Sequence, residues 1–113
     1  MKILYSVTSD ESLLVELVGE MDAAGCADIR PTLEQLLEDA AEKNILLDLG
    51  QVSFIDSSGI GAIVFLFKRL KSKGQSLELT NVSGQPRELI ELLRIDTAIP
   101  VGFKMMEKQV CAH

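Results

Sequence analysis

Hydrophobic and polar positions follow one another along the chain in a regular succession of strand-like and helix-like patterns. Two short apolar stretches, residues 3–7 and 13–18, flank a polar segment at 8–12, which predicts a β-hairpin. Apolar residues then recur at steps of three and four, which predicts a helix whose buried face carries Ile29, Leu33, Leu36, Leu37, Ala40 and Ala41. Pro31 fits either the first turn of this helix or the interior of a longer, kinked one.

The middle of the chain predicts a strand and a second helix. Residues 45–49 form an almost continuous apolar run, which is typical of a central strand buried on both faces. Ser57 and Ser58 precede the helix, and Gly74 ends it. Its buried face is predicted to carry Ile60, Ile63, Val64, Phe67 and Leu70.

The last third of the chain predicts one strand, one helix and an ambiguous tail. The strand covers residues 77–80, and Ser83 is placed to cap a helix with Pro86 in its first turn. The inward-facing residues of that helix are predicted to be Leu89, Leu92 and Leu93. The tail at 99–105 fits either a short strand or a helix.

The resulting order is β-β-α-β-α-β-α followed by the tail. Strands that alternate with helices predict an α/β fold, with right-handed crossovers between parallel strands. We find no repeat, linker or low-complexity tract, so we expect residues 1–113 to form a single domain.

Composition and charge exclude several classes of protein. The formal net charge is -6, which argues against nucleic-acid binding and against docking on an anionic membrane. The longest apolar run, residues 60–67, is too short to span a bilayer, and the chain shows no signal peptide. We therefore expect a cytoplasmic protein whose cysteines, Cys26 and Cys111, stay reduced, with Cys111 exposed and oxidisable. No metal and no cofactor is expected.

The informative stretch is residues 52–61, Val-Ser-Phe-Ile-Asp-Ser-Ser-Gly-Ile-Gly. It places Asp56, Ser57 and Ser58 between a strand and a helix N-terminus, where unpaired N–H groups and the helix dipole favour an anion. A phosphate on Ser57 would add about -1.5 to -2 charges beside Asp56. On spacing alone, ordinary helix capping by these residues is the simpler interpretation.

Catalysis is not expected. The only histidine, His113, is the last residue of the sequence, so no Ser-His-Asp triad can be assembled, and the elbow pattern Gly-x-Ser-x-Gly is absent. The acids Glu20, Asp22, Asp48 and Asp56 fit capping, turns or partner contacts better than a magnesium site.

Residues 52–61 resemble the motif of the STAS-domain anti-sigma factor antagonists, a bacterial family of partner-switching phosphoproteins. Residues 19–22, Gly-Glu-Met-Asp, resemble the second and shorter motif of that family, and residues 73–83 fit its usual order. The resemblance covers about residues 3–103. It implies a STAS fold, with a mixed sheet of four or five strands and helices packed on it.

The resemblance also implies a mechanism. The unphosphorylated antagonist binds an anti-sigma factor that is itself a serine kinase, and so releases the sigma factor. Phosphorylation of the serine after the aspartate, here Ser57, abolishes binding, and a PP2C-type phosphatase restores it. Asp22, Asp56, Ser58 and Gly59 are then expected in the partner-binding surface. Ser58 is the alternative phosphorylation site.

Two departures from the family pattern leave alternatives open. Phe65 and Leu66 replace smaller or more polar residues. Either Leu66 belongs to the core while Phe65 lies against the start of the chain, or the pair forms an apolar patch for a partner or a weak homodimer. Residues 94–98 stand where the family often has a Gly-Leu pair after the last helix. This departure leaves the fold of the tail open and does not concern Ser57.

Two other functions fit the same fold. The chain could be a structural subunit of a lipid-transport or stressosome-like complex, in which Phe65 and Leu66 serve a permanent interface. It could also be a partner switch with another output, such as control of a diguanylate cyclase.

Overall fold

Within the part of the chain that the structure describes, five strands and three helices succeed one another in the predicted order. The computed structural model describes residues 1–39 and 44–103. Strands β1 (Lys2–Val7) and β2 (Leu13–Met21) are followed by α1 (Ala23–Asp39) and β3 (Ile45–Ile55). Helix α2 (Ser57–Ser72), β4 (Leu77–Val82) and α3 (Gly84–Leu92) come next, and a single 3₁₀ turn (Ile95–Thr97) leads into β5 (Val101–Phe103). The α/β fold class and the element order are confirmed.

The strands form one mixed sheet in the order β1-β2-β3-β4-β5. The predicted hairpin is confirmed, since β1 and β2 are antiparallel, whereas β2 to β5 are all parallel. Among the described residues the tail therefore contributes a fifth strand, and the expectation of four or five strands resolves to five.

One face of the sheet carries most of the core. Alternate side chains of the three central strands are buried on that face: Leu13, Val15, Leu17, Ile45, Leu47, Leu49, Leu77 and Leu79. Helices α1 and α2 cover them with Ile29, Leu36, Leu37, Ile63, Leu66 and Leu70. The intervening residue Leu46 is only half-buried, so the prediction that this strand is buried on both faces is wrong. In the apolar run of β3, Ile45, Leu47 and Leu49 lie on the face that is fully buried, whereas Leu46 lies on the opposite face, which is partly exposed.

Helix α1 begins earlier than its apolar periodicity indicates. Its first residue is Ala23, so Pro31 lies in the helix interior and not in the first turn. There Pro31 removes one backbone hydrogen bond, which the packing of Ile29, Leu36 and Leu37 on the sheet offsets. The predicted face residues Ala40 and Ala41 lie outside the described residues.

Helix α3 buries a different face from the one predicted. Pro86 and Ile90 are buried, whereas Leu92 is 76% exposed and Leu93 is 49% exposed. Ser83 occupies the N-cap position, but its side chain makes no capping hydrogen bond. The prediction for Leu92 and Leu93 is therefore wrong, because the helix packs through the i, i+4 pair Pro86 and Ile90.

The segment after α3 turns sharply into the last strand. Arg94 adopts a left-handed conformation with φ +57°, which ordinarily favours glycine. The buried Ile99 then anchors the chain, and the Arg87 guanidinium lies 4.5 Å from the centroid of the Phe103 ring. The departure at residues 94–98 thus leaves a short fifth strand in place. Cys111 lies outside the described residues.

Candidate functional site

The site is built where two parallel strands end side by side. Strands β2 and β3 pair in a register that sets Met21 opposite Ile55, so Asp22 and Asp56 follow at the same edge of the sheet. The Asp56 N–H donates to the Met21 carbonyl oxygen at 3.3 Å and ties the two strand ends together. Because a helix follows each aspartate, the N-termini of α1 and α2 lie next to each other.

Both aspartates cap the helices that follow them. The Asp56 Oδ1 atom accepts hydrogen bonds from the backbone N–H groups of Ser58 at 2.8 Å and Gly59 at 3.1 Å. In the same way, the Asp22 Oδ1 atom accepts from the Gly25 N–H at 2.7 Å. The cap that the sequence attributed in part to the serines therefore belongs to Asp56.

Ser57 is left free by this arrangement. It is the first residue of α2, its side chain is exposed, and its hydroxyl makes no hydrogen bond to any residue that the structure describes. Ser58 is the second helical residue and is exposed as well. A group added to the Ser57 oxygen would project from the helix N-terminus, where the dipole is positive, without breaking a contact of the folded chain.

Two glycines hold the helix starts close to the strand ends. A β-carbon at Gly59 would lie 2.5 Å from the Met21 carbonyl oxygen, and one at Gly25 would lie 2.0 Å from the Glu20 carbonyl oxygen. Gly59 is buried, so it supports the site from below and does not form part of its surface. The pattern Asp-x-x-Gly, present at 22–25 and again at 56–59, was the sequence signal for this pair of capped helix starts.

Gln85 is a supporting residue that the sequence reasoning missed. Its side-chain Oε1 accepts from the Ile55 N–H, and its Nε2 donates to the Ile55 carbonyl oxygen, each at 2.8 Å. Strand β4 pairs with β3 only over Ile45 to Asp48, so the Gln85 amide takes the place of a neighbouring strand where β3 ends. It thereby fixes the residue directly before Asp56.

Cys26 reports the electrostatic character of the site. Burial raises the pKa of its thiol above the usual range, and the negative charges of Asp56 and Asp22 raise this pKa further, against a smaller lowering by Arg30. Both aspartates therefore act on the same buried group, which places a concentration of negative charge at this edge of the sheet.

Four of the five predicted site residues lie at the surface of this one edge: Asp22, Asp56, Ser57 and Ser58. Within residues 1–39 and 44–103, no group of three or more histidine, cysteine, aspartate or glutamate side chains is arranged to hold a metal ion. Nor does that part of the chain contain a helix long and apolar enough to cross a membrane. What the edge offers is two carboxylates, two exposed hydroxyls and two helix N-termini.

Comparison with known families decides the affiliation. A family model described as the STAS domain matches residues 5–108. The chain belongs to the STAS domain family. The anti-sigma-B factor antagonist of Bacillus subtilis (strain 168) is 32% identical over 105 residues, which cover 92% of this chain and 94% of that protein.

Solved structures show the same STAS fold. An anti-sigma factor antagonist from Mycobacterium paratuberculosis superposes with a TM-score of 0.71 at 21% identity, covering 98% of this chain and 92% of that one. The phosphorylated form of SpoIIAA, a Bacillus cell fate determinant, superposes with a TM-score of 0.67 at 20% identity, covering 96% of both chains. The expected mixed sheet with packed helices is therefore confirmed.

This STAS domain has one conspicuous surface feature next to the aspartates. Leu66 is 3% exposed and belongs to the core, as predicted, whereas Phe65 is 57% exposed. Phe65 lines a groove between α1 and α2 together with residues of α1, and does not lie against the start of the chain. Each of the two alternatives is therefore correct for one residue only: Leu66 belongs to the core, and Phe65 alone is exposed as an apolar surface residue.

Proposed function

We propose that this STAS protein is an anti-sigma factor antagonist controlled by phosphorylation of Ser57. The unmodified form binds an anti-sigma factor that is also a serine kinase, and this binding releases the sigma factor. Phospho-Ser57 no longer binds, and a PP2C-type phosphatase restores the binding form. The protein acts as a kinase substrate and not as a catalyst. Asp22, Asp56 and Ser58 form the surface around the switch residue.

The single observation that carries the proposal is the free, exposed hydroxyl of Ser57. Capping by Asp56 relieves both serines of a structural task, so phosphorylation of Ser57 costs the fold little. Ser58 is the less suitable site because it lies one residue further into the helix and lines the groove between α1 and α2.

Charge explains how the modification would block a partner. Phosphorylation adds about -1.5 to -2 charges to a surface that already carries the Asp22 and Asp56 carboxylates. A partner shaped to contact two carboxylates then meets a third and larger negative group, and the mismatch costs several kcal/mol where like charges are brought together. The fold itself does not need to change for binding to be lost.

The names of the relatives support a sigma-factor output. The Bacillus subtilis relative acts, by its name, on the anti-sigma-B factor, and a relative in Paenibacillus polymyxa acts on an anti-sigma F factor. The latter is 26% identical over 79% of this chain. An anti-sigma factor is therefore the first partner to test.

The test is to measure, by isothermal titration calorimetry, how tightly four purified proteins bind the anti-sigma factor of the source organism. Wild type, Ser57→Ala and Ser9→Asp are expected to bind within a few-fold of one another. Ser57→Asp is expected to bind at least 100-fold more weakly, which corresponds to about 2.7 kcal/mol. Equal binding of Ser57→Asp and wild type would contradict the proposal. Ser9→Asp is the matched control, since it adds the same charge at an exposed serine in the turn before β2, at the other end of that strand from Asp22.

A permanent structural role is the second candidate, and the exposure of Phe65 is the observation that favours it. A subunit of a stable complex would keep its partner irrespective of charge at Ser57. Co-purification of Ser57→Asp with the same partner as wild type would therefore favour this role over the switch.

A further inference from the structure

A groove of about 450 Å³ runs between α1 and α2. Its walls are mainly apolar, with Cys26, Ile29 and Leu33 contributed by α1, and Ala62, Phe65 and Leu66 contributed by α2. Phe65 stands at its side with more than half of its surface exposed, which is unusual for a large aromatic residue. Arg30 and Glu34 supply the polar rim.

The groove opens beside the switch residue. Ala23 and Ser58 line it, and these residues directly follow Asp22 and Ser57 in the chain. Phe65 lies eight residues after Ser57, which is about 12 Å along the helix axis. A protein interface of ordinary size that covers Ser57 is therefore large enough to cover the groove as well.

The charge around the opening restricts the occupant. Asp22 and Asp56 each use the Oδ1 atom for capping, and the Oδ2 atom of each makes no hydrogen bond to a residue that the structure describes. Glu20 is exposed in the same segment. A basic group fits this opening, whereas a second copy of the chain in symmetric contact would bring its own carboxylates to the same place.

We propose that the α1–α2 groove binds an apolar side chain of the anti-sigma factor kinase, one that lies beside a basic side chain contacting Asp22 and Asp56. This inference rests on the proposed function and adds the chemistry of the partner. The basic side chain of the partner contacts the carboxylates, so its binding is sensitive to the charge that phosphorylation adds. The apolar side chain of the partner contributes buried contact area that does not depend on phosphorylation. Phe65 is then a binding residue for the kinase.

Two variants test the groove from opposite directions. Phe65→Ala removes part of the wall, and since Phe65 is exposed the fold loses little. Gly61→Leu fills the groove instead, because a β-carbon at Gly61 has no non-local neighbour within 4 Å. A simple steric block beside Ser57 would explain the second variant but not the first, which removes atoms about 12 Å away.

The measurement is the initial rate of Ser57 phosphorylation in an extract of the source cells to which ATP is added. Intact-mass spectrometry detects the phosphorylated protein at each time point. At low protein concentration both variants are expected to be phosphorylated about ten-fold more slowly than wild type, the loss typical of truncating an aromatic residue at an interface. High protein concentration should recover most of the rate, since docking is impaired and not the chemistry. Leu92→Ala is the control, because Leu92 is exposed but lies on α3, away from the groove.

The outcomes separate the two proposals. Wild-type rates for both groove variants, with Ser57→Ala unmodified, overturn the groove proposal and leave the switch standing. Absence of phosphorylation in wild type overturns the switch and the groove proposal with it. If Phe65→Ala keeps the wild-type rate but converts a dimer to a monomer in sedimentation, the groove is a self-association surface and the kinase proposal fails.

Discussion

Asp22 and Asp56 each combine a structural task with an electrostatic one. One carboxylate oxygen caps a helix and the other stays available to a partner, while the negative charge of both residues reaches the buried Cys26 thiol. Because capping uses these side chains, their positions are fixed before a partner arrives, and little conformational entropy is lost on binding. Ser57, in contrast, has no structural task within the described chain, which supports the proposal that Ser57 is the residue that is modified.

The thiol of Cys26 provides a probe of this charge. Its raised pKa means that less thiolate exists at neutral pH than for an ordinary cysteine, and thiolate is the reactive form. We expect iodoacetamide to label Cys26 more slowly at pH 8 than a free cysteine, with the rate rising through a midpoint at higher pH than for a free cysteine. Site-resolved mass spectrometry distinguishes Cys26 from Cys111.

Removal of a nearby carboxylate should shift this midpoint downward. Asp56→Asn keeps an oxygen for the cap and removes the charge, so labelling at pH 8 is expected to accelerate. Glu88→Gln, on an exposed site of α3, is the control. An unchanged midpoint in Asp56→Asn would show that burial alone, and not the carboxylates, sets the reactivity of Cys26.

At the scale of elements, the site depends on the close packing of the first turns of α1 and α2 against the ends of the strands that precede them, β2 and β3. The register of β2 and β3 aligns the capping aspartates, the glycines at 25 and 59 permit contact with backbone carbonyls, and Gln85 replaces a missing strand neighbour. The side chain of Ser57, the proposed phosphorylation site, takes part in none of these contacts. The residues that build the scaffold and the proposed switch residue, Ser57, are thus separate groups at one edge of the sheet.

Two glycines of α2 should respond in opposite ways to the same substitution. Gly59→Ala places a methyl group against the Met21 carbonyl and is expected to cost about 1–3 kcal/mol of unfolding free energy. Gly61→Ala meets no non-local atom within 4 Å and is expected to gain up to about 1 kcal/mol from helix propensity. Urea unfolding of both variants measures the difference. Equal stability of the two would contradict the close packing of α2 on the end of β2.

At the scale of the whole molecule, the proposed switch lies at an edge of the sheet and not within the core. Most of the buried side chains of the central strands face α1 and α2, whereas Ser57 and its neighbours lie where parallel strands end. The proposed modification at this position would therefore change what the molecule binds without changing how it folds. The single-domain assignment of residues 1–113, the cytoplasmic location and a weak homodimer stay predictions.

This separation predicts that Ser57→Asp keeps the native structure. A negative charge at the first helical position interacts favourably with the helix dipole and unfavourably with Asp56, so the net effect on stability should be small. The melting temperature is expected to stay within about 5 °C of wild type, which corresponds to roughly 1 kcal/mol for a domain of this size. Circular dichroism gives the melting curve. A larger loss, accompanied by changed spectra, would mean that weak binding reflects unfolding and not a switched surface.

Local sequence patterns were enough to predict the order of the elements, the hairpin, the position of α2 and the group of residues at its start. These follow from local causes: apolar periodicity, turn residues, and the placement of acids and hydroxyls between a strand and a helix. The family resemblance, which rests on residues 19–22 and 52–61, added the function. Periodicity failed at the start of α1, because residues 23–28 carry little apolar pattern and the Asp22 cap sets the boundary.

Which faces are covered and which distant residues are in contact depends on the packing of the elements against one another. A helix with apolar residues on several sides, such as α3, has its buried face chosen by its neighbours, so Ile90 is buried and Leu92 is exposed. Gln85 and Ile55 are thirty residues apart, and no local pattern reports their contact. The groove beside Phe65 likewise exists only because α1 and α2 pack side by side, since a cavity is a property of two surfaces and not of either sequence segment.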